Sequence, residues 1–198
     1  MQNNINILTN FFYEIGNLRK ILRAHQQTLL SHDPTDNIAS HSFRSTFIGY
    51  FLAKELEADA DKVLKMCLLH DIEEVRSSDM NWLNKKYVKV YEEEIREDQL
   101  KNLPHSEEFI ELSKEYSERE TREAKIAKDA DCLDQVLLLK EYVQQGNEEA
   151  RRWLHEENKD ECQQIKIMHF SLTKEIAKKA IEQKPSDWWK NAWTPKNR

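Results

Sequence analysis

Apolar residues recur at three- and four-residue spacing along most of the chain, and strand-like alternation is nearly absent. The first such stretch, about residues 5–30, sets Leu8, Phe11, Phe12, Ile15, Leu18, Ile21 and Leu22 in helical register. The polar run Ser31-His32-Asp33-Pro34-Thr35-Asp36-Asn37 then interrupts it, with Pro34 as the breaker. A second helix is expected from Ile38 to Glu57 and a third from Ala60 to about Arg76. Ser77-Ser78-Asp79 can cap a short helix beginning near Asn81. Residues 91–103 are densely charged and read as a solvated face, with Pro104 marking a turn. Two long helices follow, one near 106–146, either continuous or broken around 113–118, and one near 148–183. Pro185-Ser186-Asp187 opens a last turn carrying Trp188, Trp189 and Trp193, for which core packing, a dimer contact and a lid are all open roles. With no internal repeat, low-complexity tract or linker, the pattern predicts one all-α domain over residues 1–198.

Composition then removes whole classes of function. A net charge of -6 gives no counterion-release drive toward a nucleic-acid polymer, although a local pocket for one small anion stays open. No apolar run approaches the roughly 20 residues of a membrane span. The start, MQNNINILTNFF, has no basic region or small-residue cleavage site of a secretory signal. Cys67, Cys132 and Cys162 are odd in number and lack CxxC spacing, which fits a reduced cytoplasmic setting. Glycine is confined to Gly16, Gly49 and Gly146, so neither a P-loop nor a dinucleotide turn can be built. Phosphate, if handled at all, must be held by a metal and cationic side chains.

His70-Asp71 closes the apolar stretch Val63-Leu64-Lys65-Met66-Cys67-Leu68-Leu69. Polar groups at the end of a buried helix need a partner, and a divalent cation would satisfy both imidazole and carboxylate. The dipeptide alone decides little, since a hydrogen-bonded pair would serve as well and His32-Asp33 in the proline turn repeats it. Context adds weight: His41 lies near the start of the preceding helix, in Ile38-Ala39-Ser40-His41-Ser42-Phe43-Arg44. Asp131 lies in a later apolar helix, in Glu123-Ala124-Lys125-Ile126-Ala127-Lys128-Asp129-Ala130-Asp131, with Asp129 as the competing carboxylate.

A histidine, a His-Asp pair and a final aspartate on successive helices resemble the HD-domain metal-dependent phosphohydrolases. The likeness is greatest to the small branch that includes 5′-deoxynucleotidases, and it covers about residues 15–145. Lys65–Asp79 and Glu123–Asp131 carry it over several positions each. The chain departs from that pattern with Ser40 where the family has Glu, and with Ser77-Ser78 where it has Thr-Gly.

The resemblance implies an all-α HD-domain bundle holding one divalent ion on His41, His70, Asp71 and Asp131. Cobalt, manganese, nickel, iron, zinc and magnesium all suit such donors. It implies Glu74 as the group that orients or deprotonates the attacking water, against a helix-surface carboxylate as the alternative. Asp79 is implied as a group positioning the water or a sugar hydroxyl, and Arg23 as the cation facing the phosphate. Arg44, three residues after His41, Lys128, three before Asp131, and Lys85 are further candidate cations. Trp82 could stack on a base or pack in the core. The activity implied is phosphate removal from a small nucleotide, foremost a (deoxy)nucleoside 5′-monophosphate. A triphosphate or alarmone phosphohydrolase and a non-catalytic metal- and nucleotide-binding module are the alternatives. The resemblance and the tryptophans together favour a homodimer.

Overall fold

The computed structural model describes residues 2–155 and 162–192. Among these the chain is helical without strands, apart from an isolated antiparallel bridge between Leu22 and Asn37. The all-α expectation holds. The helices run α1 Gln2–Ile15, α2 Gln26–Leu29, α3 Ile38–Glu55, α4 Ala60–Leu69, α5 Glu74–Ser77, α6 Trp82–Lys85, α7 Glu92–Leu100, α8 Glu107–Glu118, α9 Arg122–Gln144, α10 Glu148–His155, α11 Gln163–Ile167 and α12 Ser171–Glu182. By contacts they fall into two compact units that divide between Asp131 and Cys132, with α9 contributing to both.

The first unit is built on α3 and α4. Asn37 caps α3 by accepting from the Ser40 amide at 3.0 Å, and Asp59 caps α4 by accepting from Lys62 at 3.1 Å. Along α3, Ile38, His41, Ser42, Ser45, Gly49, Leu52 and Ala53 form the buried stripe. Ser42, Ser45, Gly49 and Ala53 within it are small, so α4 can come close. A Cβ on Gly49 would stand 2.6 Å from Cys67 Sγ and 3.0 Å from Val63 Cγ1. Leu29, Val63, Met66, Leu100 and Ile126 complete this core, each fully shielded from solvent. In the second unit Val136, Leu139, Ala150, Leu154, Cys162, Ile165 and Ala177 are buried together.

Several boundaries differ from the periodic reading, each for a local reason. The stretch 5–30 is not one helix: α1 stops at Ile15, a 3-10 turn covers Gly16–Lys20, and the Leu22–Asn37 bridge follows. No residue of α1 is fully buried: Leu8, Phe11 and Ile15 are half-buried and Phe12 is exposed. The third helix ends at Leu69 instead of Arg76. His70 Nδ1 takes the Cys67 carbonyl at 2.8 Å, the acceptor a continuing helix would offer to Asp71. The next bonds are of the tighter i→i+3 kind, from Ile72 to Leu69 and from Glu74 to Asp71, both 3.2 Å. The short helix after the Ser-Ser-Asp run is capped by Asn81 itself, which accepts from Leu83 and Asn84. The break expected around 113–118 falls at Arg119 instead. The long helix expected over 148–183 is divided among α10, α11 and α12.

Two readings of exposure are corrected. The 91–101 run is helical, but Arg96, Gln99 and Leu100 are buried, so it is not simply a solvated face. Trp188 is 81% exposed and Trp189 42%, so neither is a core residue, and Trp193 lies outside the described residues. Cys67, Cys132 and Cys162 are all buried. No helix of the described residues is long and apolar enough to cross a membrane.

Candidate metal centre

Three elements of the first unit deliver the sequence-predicted ligands to one point. His41 comes from the first turns of α3, His70 and Asp71 from the end of α4, and Asp131 from α9. His41 Nε2 lies 3.0 Å from His70 Nε2, 3.5 Å from Asp71 Oδ2 and 3.3 Å from Asp131 Oδ1. His70 Nε2 lies 3.2 Å from the same Asp71 oxygen. Ligand bonds of about 2.1 Å produce donor–donor edges of about 3.0 Å in an octahedron and about 3.4 Å in a tetrahedron. The donors of His41, His70 and Asp71 therefore fit around one ion. Because His70 Nδ1 donates to the Cys67 carbonyl, its Nε2 presents a lone pair to the cluster. His41, His70 and Asp71 are the tightest group. Asp131 joins through His41 and turns its other oxygen to Lys128 Nζ at 2.6 Å. Asp129, two residues earlier, is fully buried.

Arg23 reaches this cluster by the folding of its own loop. The Arg23 amide donates to the Asp36 carbonyl and that of Ile38 to the Ile21 carbonyl, pinning residues 21–23 to the entrance of α3. A buried pair, His25 Nε2 with Asp36 Oδ2 at 2.7 Å, locks the return. Asp79 Oδ2 then accepts from the Ala24 amide at 2.7 Å and lies 3.5 Å from Arg23 Nε. Burial alone would lower the Arg23 pKa, but Asp71, Asp131, Asp79 and Glu74 surround the guanidinium and raise it. One cation thus sits among four carboxylates.

Those carboxylates are not alike. Burial would raise Asp71, yet the imidazoles of His70 and His41, with Arg23, hold it well below the usual range. Asp131 is likewise held down against burial, by Lys128, His41 and His70. Glu74 goes the other way: burial, then Asp71 and Asp79, push it up to about 10, and its Oε2 is buried with no hydrogen-bond partner. Two carboxylates poised to bind a cation and one poised to hold a proton suit metal-assisted chemistry.

The remaining predicted groups are less gathered. Arg44 is half-buried on α3, while Trp82 and Lys85 are exposed on α6. The core role considered for Trp82 is thereby overturned. Ser78 stands at φ 62 and ψ 160, a region almost exclusive to glycine. Such strain costs about 1–3 kcal/mol. Ser78→Gly is expected to raise the urea midpoint by the equivalent of about 1 kcal/mol; a lowered midpoint would refute the strain.

Sequence reasoning missed what stands behind the His-Asp turn. Arg96 Nη1 donates to Glu73 Oε1 in a buried bond and Nη2 to Ser117 Oγ in a part-buried one, both at 2.8 Å. Gln99 Nε2 donates to the Ile72 carbonyl at 3.2 Å. Burial pushes Glu73 up to about 7 even with Arg96 beside it. The available signal was Arg96, Gln99, Leu100 and Leu103 sharing one helical face inside the charged run.

Fold and site together define an all-α protein with a candidate His-Asp metal centre. The family model of the HD domain matches residues 15–170, and the chain belongs to the HD-domain family. No curated protein matches it. Among solved structures, a structural-genomics protein is similar at TM-score 0.72 and 26% identity, over 93% of this chain and 99% of its own. A conserved hypothetical protein from Pyrococcus furiosus is similar at 0.68 and 26%, over 88% and 99%. A "predicted metal-dependent phosphohydrolase" from Magnetospirillum magnetotacticum MS-1 shares the fold at 0.61 and 22%, over 90% and 91%.

Proposed function

We propose that this protein is a divalent-metal-dependent phosphohydrolase that removes phosphate from a (deoxy)nucleoside 5′-monophosphate. The observation that carries the reading is the convergence of His41, His70 and Asp71, with Asp131 against His41, beside a guanidinium enclosed by carboxylates. Membership of the HD-domain family and the name of the M. magnetotacticum neighbour agree with the broader class, a metal-dependent phosphohydrolase.

His41, His70, Asp71 and Asp131 would hold the ion. When bound, it supplies Lewis-acid stabilisation of phosphoryl charge and lowers the pKa of water. Arg23 binds the phosphate, and Asp79 holds Arg23 in line while its carboxylate stays near enough to orient a sugar hydroxyl. Glu74 would orient the attacking water or, where it is ionised, accept its proton. Lys128 fixes the outer oxygen of Asp131, so the inner oxygen keeps its aim. Trp82, exposed beyond Asp79, offers a ring to the base, with Arg44 and Lys85 as outlying cations. One enclosed guanidinium suits one phosphate group, which favours a monophosphate over a triphosphate or an alarmone.

The test is phosphate release from nucleoside mono-, di- and triphosphates after chelator stripping and reloading with Co²⁺, Mn²⁺, Ni²⁺ or Mg²⁺. Release from monophosphates that requires added metal is expected. Release from triphosphates alone would shift the substrate class. Silence across the panel with metal bound would make the protein a binding module.

A further inference from the structure

We propose that Arg119 is a positioning residue for the metal centre, acting through Tyr116 to hold the His70 imidazole. The proposal rests on the reading of His41, His70, Asp71 and Asp131 as metal ligands.

Arg119 is held at two costs. It terminates α8 in the left-handed region, φ 58 and ψ 22, where glycine is at ease and a side chain is strained. Its Nη1 is also buried without a hydrogen-bond partner among the described residues. A helix end in need only of a C-cap would be better served by glycine or asparagine. What the arginine supplies is a stack. Its guanidinium carbon lies 3.3 Å above the centroid of the Tyr116 ring, at cation–π distance.

Tyr116 is buried, and its ring meets His70 edge-on, with centroids 5.6 Å apart and planes at 66°. His70 in turn meets His41 edge-on at 5.0 Å. The Cys67 carbonyl fixes the His70 tautomer through one nitrogen. That bond leaves the tilt of the ring to its packing, and Tyr116 supplies the packing. Arg119 over the Tyr116 ring and the tilted contact of that ring with His70 form a continuous chain of contacts that ends at a ligand imidazole. Groups standing behind a ligand in this way typically govern metal affinity by about 10–100-fold.

Chelator-stripped protein is titrated with Co²⁺, following visible absorption for affinity and ligand geometry, and the melting temperature of the metal-free form is recorded alongside. Arg119→Gly removes the stack and the left-handed strain together. It is expected to weaken Co²⁺ binding about 10-fold and to alter the absorption bands, without lowering the metal-free melting temperature. Arg119→Lys keeps the charge but not the planar stack and is expected to weaken binding as well. Wild-type affinity and spectrum in both Arg119 variants would overturn the proposal. So would a melting temperature that falls in step with affinity, since Arg119 would then merely hold the fold. Failure of the wild type itself to bind Co²⁺ would instead refute the metal-site reading.

Discussion

Asp71→Ala is expected to abolish both Co²⁺ binding and phosphate release, with turnover reduced about 10³-fold or more. Asp71 Oδ2 is the atom shared by the two imidazoles, 3.2 Å from His70 and 3.5 Å from His41. It is also the first carboxylate that holds Arg23 charged. Its loss therefore removes a metal ligand and loosens the phosphate-binding cation together. Lewis-acid stabilisation contributes several kcal/mol, and about 4 kcal/mol is already a factor of about 10³. Asp71→Asn separates the two effects, because it keeps the shape and one weak oxygen donor while removing the charge. Colorimetric phosphate release and Co²⁺ absorption read both variants. Full activity with wild-type cobalt affinity in Asp71→Ala would exclude the proposed centre.

The candidate ligands were proposed from their resemblance to the HD-domain pattern, in which each arrives in a recognisable local setting. His41 follows the Asn37 cap by one helical turn, Asp131 follows two small buried residues, Ala127 and Ala130, and His70-Asp71 closes the apolar run of α4. A local pattern can encode such positions. It cannot encode where a periodic stretch finds its partner, which is why the face of α1 was legible and its incomplete burial was not. The end of α4 is similar: no glycine or proline stops it, and the stop is a side-chain bond from His70 to Cys67. The pair Glu73–Arg96 joins residues 23 positions apart, so neither charge looks unusual in its own segment. Arg119 is the hardest case. Only its backbone angle and the ring beneath it distinguish it from the other charged residues of α8 and its cap.

Glu74→Gln is expected to lower turnover by about 10²–10⁴-fold, the usual contribution of a positioned proton acceptor, while leaving Co²⁺ bound. The same change should alter how metal-free protein responds to pH. Glu74 is raised from 4.5 to about 10 by burial and by Asp71 and Asp79. The folded state therefore binds this proton more tightly than the unfolded chain does. The stabilisation is fully present below about pH 4.5 and is lost as pH rises toward about 10. Glu73, raised to about 7 by burial, adds a second loss that is complete near neutrality. Chelator-treated wild type should thus melt at progressively lower temperature from about pH 5 to about pH 9. Glutamine cannot ionise, so Glu74→Gln should keep the Glu73 part of this slope and level off above about pH 7. The variant would be more robust than wild type at alkaline pH and far poorer in turnover. That pairing is expected of a group whose burial serves chemistry at the expense of the fold. Unchanged turnover would remove Glu74 from the reaction, and an unchanged melting slope would place its carboxyl in a more solvated setting than the one described.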